Sequence, residues 1–432
     1  MLSGPRQVGK TTLLLQCIQR LLKKGVPPQN ILYVTFDHPL FKLMGVERVL
    51  QMWRDVEVRV SGDEYIFVDE VQFLRDWQTW LKLQVDFQKD RRLIVTGSAT
   101  PLLTEGQESG VGRWHTIRLP TLSFYEYLKI KDVALPSVPE VTSLARLFAW
   151  DKRDFASVSD VARPLAAQFH EYLLRGGFPQ CALTDSIELA QRLLREDIVD
   201  KVLKRDMTAL FGVRRILELE QTFLYLCLHD GGLLDITTLS KNLAVKKQTA
   251  ANFISLLENT HLIYRLSPFG YGKEVLRGQH KVYLADAAIG PSVLLKGKSL
   301  LEDDGALGRA VETAFFKHVF TRYYNVGIGF SYWRGRKNEE VDIVAQVGGR
   351  TIPFEVKYRM QKTGLDELKG IVKFCNEKQI DQGYVITREM ADFGVLPFGS
   401  RQLLKIPAAL ACFWLGQSEV LGTKQTEADL ES

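Results

Sequence analysis

The clearest chemistry lies at the start of the chain. Gly4-Pro5-Arg6-Gln7-Val8-Gly9-Lys10-Thr11, followed by Thr12, fills every position of the pattern G-x-x-x-x-G-K-[ST]. Its glycines let the backbone turn N–H groups inward around the β- and γ-phosphates of a nucleotide. Lys10 brings a point charge to the same place, and the Thr11 hydroxyl suits a Mg²⁺ ion. A helix opening at Lys10 adds the positive end of its dipole. Gly4, Pro5, Arg6, Gln7, Val8, Gly9, Lys10, Thr11 and Thr12 are therefore the expected nucleotide contacts.

A second constellation supplies what a phosphate loop needs opposite it. Tyr65-Ile66-Phe67-Val68-Asp69-Glu70 reads as a buried strand ending in two acids. Asp69 is expected to hold Mg²⁺ through its water shell, joining the nucleotide contacts, and Glu70 to orient or deprotonate the attacking water. A further strand, Leu93–Thr96, runs into Gly97-Ser98. There Ser98 or Thr96 can reach the γ-phosphate or the water. Alone, an apolar strand ending in acids could simply enter a solvated loop; it is the complete phosphate loop upstream that gives these acids their reading.

A third group sits far downstream. Glu312 falls within a helical pattern, Leu307–Phe320, and Asp342 lies in the strand Glu340–Val344. After a turn at Gly348-Gly349 comes Ile352-Pro353-Phe354-Glu355-Val356-Lys357. The hairpin puts Asp342 and Glu355 on adjacent strands, and alternation puts Glu355 and Lys357 on one face. A helix acid, a strand acid and E-x-K resemble the PD-(D/E)xK restriction-endonuclease-like fold, with valine where a proline usually precedes the aspartate. The resemblance implies Glu312, Asp342 and Glu355 as metal ligands. It makes Lys357 the group that activates water or steadies a pentavalent phosphate. E-x-K also occurs by chance in strands, so a nuclease-like fold kept for packing or DNA docking stands beside the cleaving one.

These residues need elements to hold them. At 432 residues, the chain should contain roughly three domains. Residues 1–130 alternate strands and helices, which implies a parallel α/β sheet. Leu13, Leu14, Cys17, Ile18, Leu21 and Leu22 recur at helical spacing before Gly25. Residues 131–235 read as a helical lid or linker after a Pro-rich joint. In 236–285, Leu239, Leu243 and Val245 precede a second helix whose apolar side is Phe253, Leu256 and Leu257. Its other side carries Lys246, Lys247, Gln248, Thr249 and Asn252, types that suit DNA phosphates and base edges and equally suit a solvated face. Residues 286–418 form the second α/β block and 419–432 a polar tail. Lys204-Arg205-Asp206 reads as a charged contact or an ordinary helix surface, the surface being favoured.

Composition excludes several classes. Net charge is +5, with 46% hydrophobic and 25% charged residues, which rules out a disordered or collagen-like chain. No apolar run of about 18 residues predicts a membrane span. Five scattered cysteines with no C-x-x-C spacing argue for a reducing, cytoplasmic setting rather than a disulfide framework.

Taken with their order, GPRQVGKTTLL, FVDEVQ, VTGSA, GRWHTIRLPTLSFYEYL and YLLRGGFPQ resemble the bacterial and archaeal AAA-type ATPases that carry a C-terminal domain of unknown function 4143. The resemblance spans nearly the whole chain. It implies an AAA-type P-loop NTPase sheet domain, a helical lid and winged helix, and then a restriction-endonuclease-like α/β domain. ATP and Mg²⁺ are the implied cofactors, and Gly112-Arg113 suggests Arg113 as a γ-phosphate sensor or arginine finger. Double-stranded DNA, a second copy of the chain and a protein partner are the implied associations, without a membrane. The chain departs from the family in one respect. Only Met1-Leu2-Ser3 precede the phosphate loop, where a strand of about five residues is expected.

Overall fold

A computed structural model describes residues 1–58, 60–98, 113–270, 272, 275, 278–324, 327–337 and 339–421. The chain divides into two compact units. The first is Met1–Pro120 together with Lys201–Ile216 and Ser255–Leu262; the second is Thr121–Asp200, Leu217–Ile254 and Ile263–Ser432.

The first unit is built on β1 (Leu2–Ser3), α1 (Lys10–Lys23), β2 (Ile31–Thr35), α2 (Pro39–Met44), α3 (Val46–Val56), β3 (Glu64–Asp69), α4 (Trp77–Phe87), β4 (Arg91–Gly97) and β5 (Ile117–Arg118). Its sheet has the order β2-β3-β4-β1-β5, and every pairing is parallel. Parallel sheets are covered on both faces, so their inner strands are apolar throughout. In β3, Ile66, Phe67 and Val68 are all fully buried. Phe36, Leu50, Trp77, Trp80 and Leu81 pack over the sheet to close its core.

The short run before the phosphate loop takes the place expected of a longer strand. Leu2 pairs with Thr96 on one side and Ile117 on the other. The Met1 ammonium donates to the His115 carbonyl at 2.7 Å. Two distant segments, Lys201–Ile216 and Ser255–Leu262, fold into this unit. Side-chain contacts described below hold them there.

The second unit carries β6 (Gly232–Leu234), β7 (Ile263–Pro268), β8 (His280–Leu284), β9 (Gly329–Arg334), β10 (Glu340–Val347), β11 (Arg350–Lys357), β12 (Gln382–Thr387), β13 (Gly394–Phe398) and β14 (Arg401–Pro407). They form one mixed sheet, β13-β14-β12-β11-β10-β9-β7-β8-β6. β10 and β11 make the expected hairpin, with Val347 opposite Arg350 and Gly348 and Gly349 both at positive φ in the turn. That conformation is cheap only for glycine. Helices Asp304–Tyr323 and Ala408–Val420 are buried nearly all round. Among the described residues no helix is long and apolar enough to cross a membrane. All five cysteines are free thiols.

Candidate functional site

The phosphate loop leaves β1 and enters α1 at Lys10. Its first glycine is required by space. A Cβ on Gly4 would stand 2.1 Å from the Leu119 carbonyl oxygen, far inside van der Waals contact. Gly9 is required by conformation, at φ 98° directly before the helix, with open space where its Cβ would be. Gln7 also takes a positive φ of 61°, which an L-residue adopts at a cost. Pro5 and Val8 are buried, whereas Thr12 is exposed.

Lys10 turns back into its own loop. Its Nζ donates to the carbonyls of Gly4 at 3.0 Å and Pro5 at 2.7 Å, and only 4% of the residue is exposed. Burial pulls the ammonium below its ordinary pKa, while Glu70 and Asp69 act to raise it. An ammonium held by two carbonyl oxygens is a donor waiting for stronger acceptors, so a phosphate fits it.

The tips of β3 and β4 face this loop. Thr11 Oγ1 donates to Asp69 Oδ2 at 2.7 Å, and the Tyr33 hydroxyl donates to the same oxygen at 3.1 Å. Burial and Asp69 push the Tyr33 phenol up to about 12. Thr96 Oγ1 donates to Asp69 Oδ1 and accepts from the Glu70 amide at 3.1 Å. Glu70 is left-handed at φ 55°, a strained turn that sets its carboxylate off the strand. Gln72 donates to that carboxylate and, at 2.8 Å, to Ser98 Oγ. Thus Lys10, Thr11, Asp69, Glu70 and Ser98 gather at one place, the acids and hydroxyls among them joined by hydrogen bonds, and the donor set suits Mg²⁺ beside a triphosphate.

Arg113 is engaged elsewhere. Its Nε donates to Asp86 on α4 at 3.0 Å. Gly112, Ala99 and residues 422–432 of the polar tail lie outside the described residues.

Two contacts lie outside the motifs. Asp206 is 2% exposed and accepts from Arg6 Nη1 with both carboxylate oxygens, at 2.8 and 3.0 Å, so it is a charged contact rather than the favoured helix surface. His261 Nε2 stands 2.9 Å from Ser3 Oγ and its Nδ1 3.1 Å from Arg118. His261 is buried, and desolvation, with Arg118 and Lys10, holds its pKa well below the imidazole range. Neither residue belongs to a motif, and only the folded chain brings them to the loop.

The downstream acids converge as the hairpin implied. Glu312, Asp342 and Glu355 line a cleft of about 510 Å³ with Lys357. Lys357 donates to Glu355 at 2.5 Å, and the Val356 amide donates to Asp342 Oδ2 at 2.8 Å. A further residue stands among them. Lys281, from β8, places Nζ 2.8 Å from each of Glu312 Oε1, Glu340 Oε1 and Asp342 Oδ1. Burial and the Asp342 charge push Glu312 up to about 7 and Glu355 up to about 8. Burial also acts to raise Asp342, yet the Lys281 and Lys357 charges hold it below its ordinary value.

Helices Ile236–Asn242 and Lys247–Asn259 flank a turn where Ala244 is at φ 52°. Lys246, Lys247, Gln248 and Asn252 are exposed, with Gln248 donating to Asn252 at 3.0 Å. The Arg175–Pro179 turn is explained by packing. Asp286 accepts from the Gly177 amide at 2.9 Å and Thr121 Oγ1 at 2.7 Å, and a Cβ on Gly177 would meet the Leu122 carbonyl oxygen at 2.4 Å.

Comparison with known proteins agrees with the motifs. Residues 1–128 match the AAA domain, residues 166–299 the domain of unknown function DUF8612, and residues 307–408 the domain of unknown function DUF4143. The chain carries an AAA domain at its N-terminal end and DUF4143 at its C-terminal end, the pairing that the motifs resemble. An uncharacterized protein of Haemophilus influenzae is 24% identical over 83% of this chain and 82% of its own. One from Methanocaldococcus jannaschii is 22% identical over 88% and 79%, and one from Mycobacterium tuberculosis is 26% identical over 83% and 69%. A DNA polymerase III gamma subunit-related protein of Thermotoga maritima, 14% identical, covers 60% of this chain and 94% of that chain at a TM-score of 0.25.

Proposed function

We propose that the first unit binds ATP with Mg²⁺ and hydrolyses it, and that the remainder of the chain responds to the nucleotide state. The observation that carries this reading is the Thr11–Asp69 hydrogen bond at 2.7 Å. It ties the first turn of the loop helix to the acidic tip of β3, where a loop lysine and a second acid also stand.

The chemistry follows from the positions. The loop amides and Lys10 take the β- and γ-phosphates, the lysine exchanging two carbonyl partners for phosphate oxygens. Thr11 and Asp69 are the residues that would hold Mg²⁺, which would supply neutralisation of the charge developing in the reaction, with Thr96 and Tyr33 fixing the Asp69 carboxylate. Glu70 takes the proton of the attacking water, and Ser98 with Gln72 sets the direction of its carboxylate. Arg113 needs release from Asp86 before it can serve a phosphate. Double-stranded DNA is the kind of partner that the exposed Lys246, Lys247 and Gln248 suit, through its phosphates.

The test is nucleotide binding and turnover by paired variants. Lys10→Ala should lose ATP binding. Glu70→Gln should keep it while phosphate release falls by about 10²- to 10⁴-fold. Unchanged affinity in Lys10→Ala sinks the assignment.

A further inference from the structure

The carboxylate cluster of the second unit has the residue types of a Mg²⁺ site, and its centre is already filled. We infer that Lys281 is a built-in cation which takes the place of the metal there, leaving a nuclease-like centre closed to divalent ions. This rests on the second unit alone and stands or falls independently of the nucleotide site.

The geometry is specific. Lys281 Nζ lies 2.8 Å from three carboxylate oxygens on two elements: Glu312 on the helix Asp304–Tyr323, and Glu340 and Asp342 on β10. The lysine side chain is only 2% exposed, so its charge faces these acids rather than solvent. An ammonium has three donors, and three acceptors meet it. A divalent ion would need the same oxygens at about 2.0–2.1 Å, in the volume that the Nζ occupies.

Other bonds occupy further positions around it. The second Asp342 oxygen takes the Val356 amide, Glu312 Oε1 also takes the Tyr283 hydroxyl at 2.8 Å, and Glu355 Oε1 takes Lys357. Glu355 Oε2 is buried without a hydrogen-bond partner among the described residues. By itself that oxygen is fewer than Mg²⁺ or Mn²⁺ requires, and the three oxygens that converge at the centre are already taken by Lys281. Tyr283 and Lys281 are two apart on β8 and so leave the strand on one face. β8, three places along the same sheet from β10, thus brings an amine and a phenol to these acids. The cluster serves as a fixed ionic joint of β8 with β10 and the helix Asp304–Tyr323, leaving no room at its centre for the divalent ion with which such a centre would cut DNA.

The experiment is Mn²⁺ titration of the nucleotide-free, full-length chain, reading free Mn²⁺ by its paramagnetic resonance signal. Wild type and Asp342→Asn should bind the same amount, because neither offers a site in the cluster. Lys281→Met should gain a further Mn²⁺ ion, lost again when Asp342→Asn is added. A folded Lys281→Met that gains none overturns the proposal. So does a wild-type chain that loses a Mn²⁺ ion on Asp342→Asn substitution, and that pair decides the matter even if Lys281→Met does not fold.

Discussion

Arg6 in the phosphate loop donates through Nη1 to both carboxylate oxygens of Asp206, 200 residues further along, at 2.8 and 3.0 Å. The loop is thus held by an acid whose charge also acts on Lys10. If the loop binds ATP as proposed, its phosphates would compete with Asp206 for these positive charges.

Asp206→Asn removes the competing charge and frees the guanidinium of Arg6. ATP affinity should rise roughly two- to tenfold, and the gain should shrink as salt screens it. Fluorescent-nucleotide titration at low and high ionic strength measures both effects. A fall in affinity would mean that the pair shapes the loop more than it competes with phosphate.

Two glycine substitutions separate a crowded position from an open one. Gly4→Ala drives a methyl group to 2.1 Å from the Leu119 carbonyl oxygen. Backbone has to move, which should cost about 1–3 kcal/mol and weaken nucleotide binding with it. Gly308 lies inside the helix Asp304–Tyr323, and a methyl group added there would meet nothing within 4 Å among the described residues. Gly308→Ala should therefore stabilise by about 0.5–1 kcal/mol. Denaturant midpoints and nucleotide affinity of the two variants check the contrast.

His318 should make the second unit sensitive to acid. Its Nε2 accepts from the Phe124 amide at 2.8 Å while Nδ1 faces the Ala314 carbonyl at 2.6 Å. A second ring proton would meet an N–H head-on. Burial, with the Lys317 charge, lowers its pKa to about 3. An unfolded imidazole takes its proton near its ordinary value, so the unfolded state binds more protons between the two pKa values. Stability from this group is complete above about pH 6.5 and is lost as the pH falls toward 3, by up to about 1.4 kcal/mol per pH unit. The gap in urea midpoint between wild type and His318→Gln should narrow over that range. A gap that stays constant with pH would show a charged or solvated ring.

Much of this was legible in the residues. Gly4, Gly9, Lys10 and Thr11 announce a phosphate loop because backbone curvature and one positive charge are local properties of eight consecutive residues. The all-apolar run before Asp69 announces a strand buried on both faces. Gly348-Gly349 announces the hairpin that brings Asp342 beside Glu355. Arg113 was legible only as a guanidinium, since its engagement with Asp86 depends on where α4 lies.

Local pattern determined the chemistry available to each segment: which loop curves, which strand is buried, which face of β11 carries Glu355 with Lys357. Tertiary structure alone decided which charges meet. Asp206 was favoured as helix surface and is buried on Arg6, His261 lay in no motif and sits on Ser3, and Lys281 carried no signal yet stands among three carboxylates. The reason is physical. Secondary structure follows from interactions a few residues apart, whereas the pairing of a buried charge is settled by whichever distant side chain the packed chain delivers to within hydrogen-bond reach.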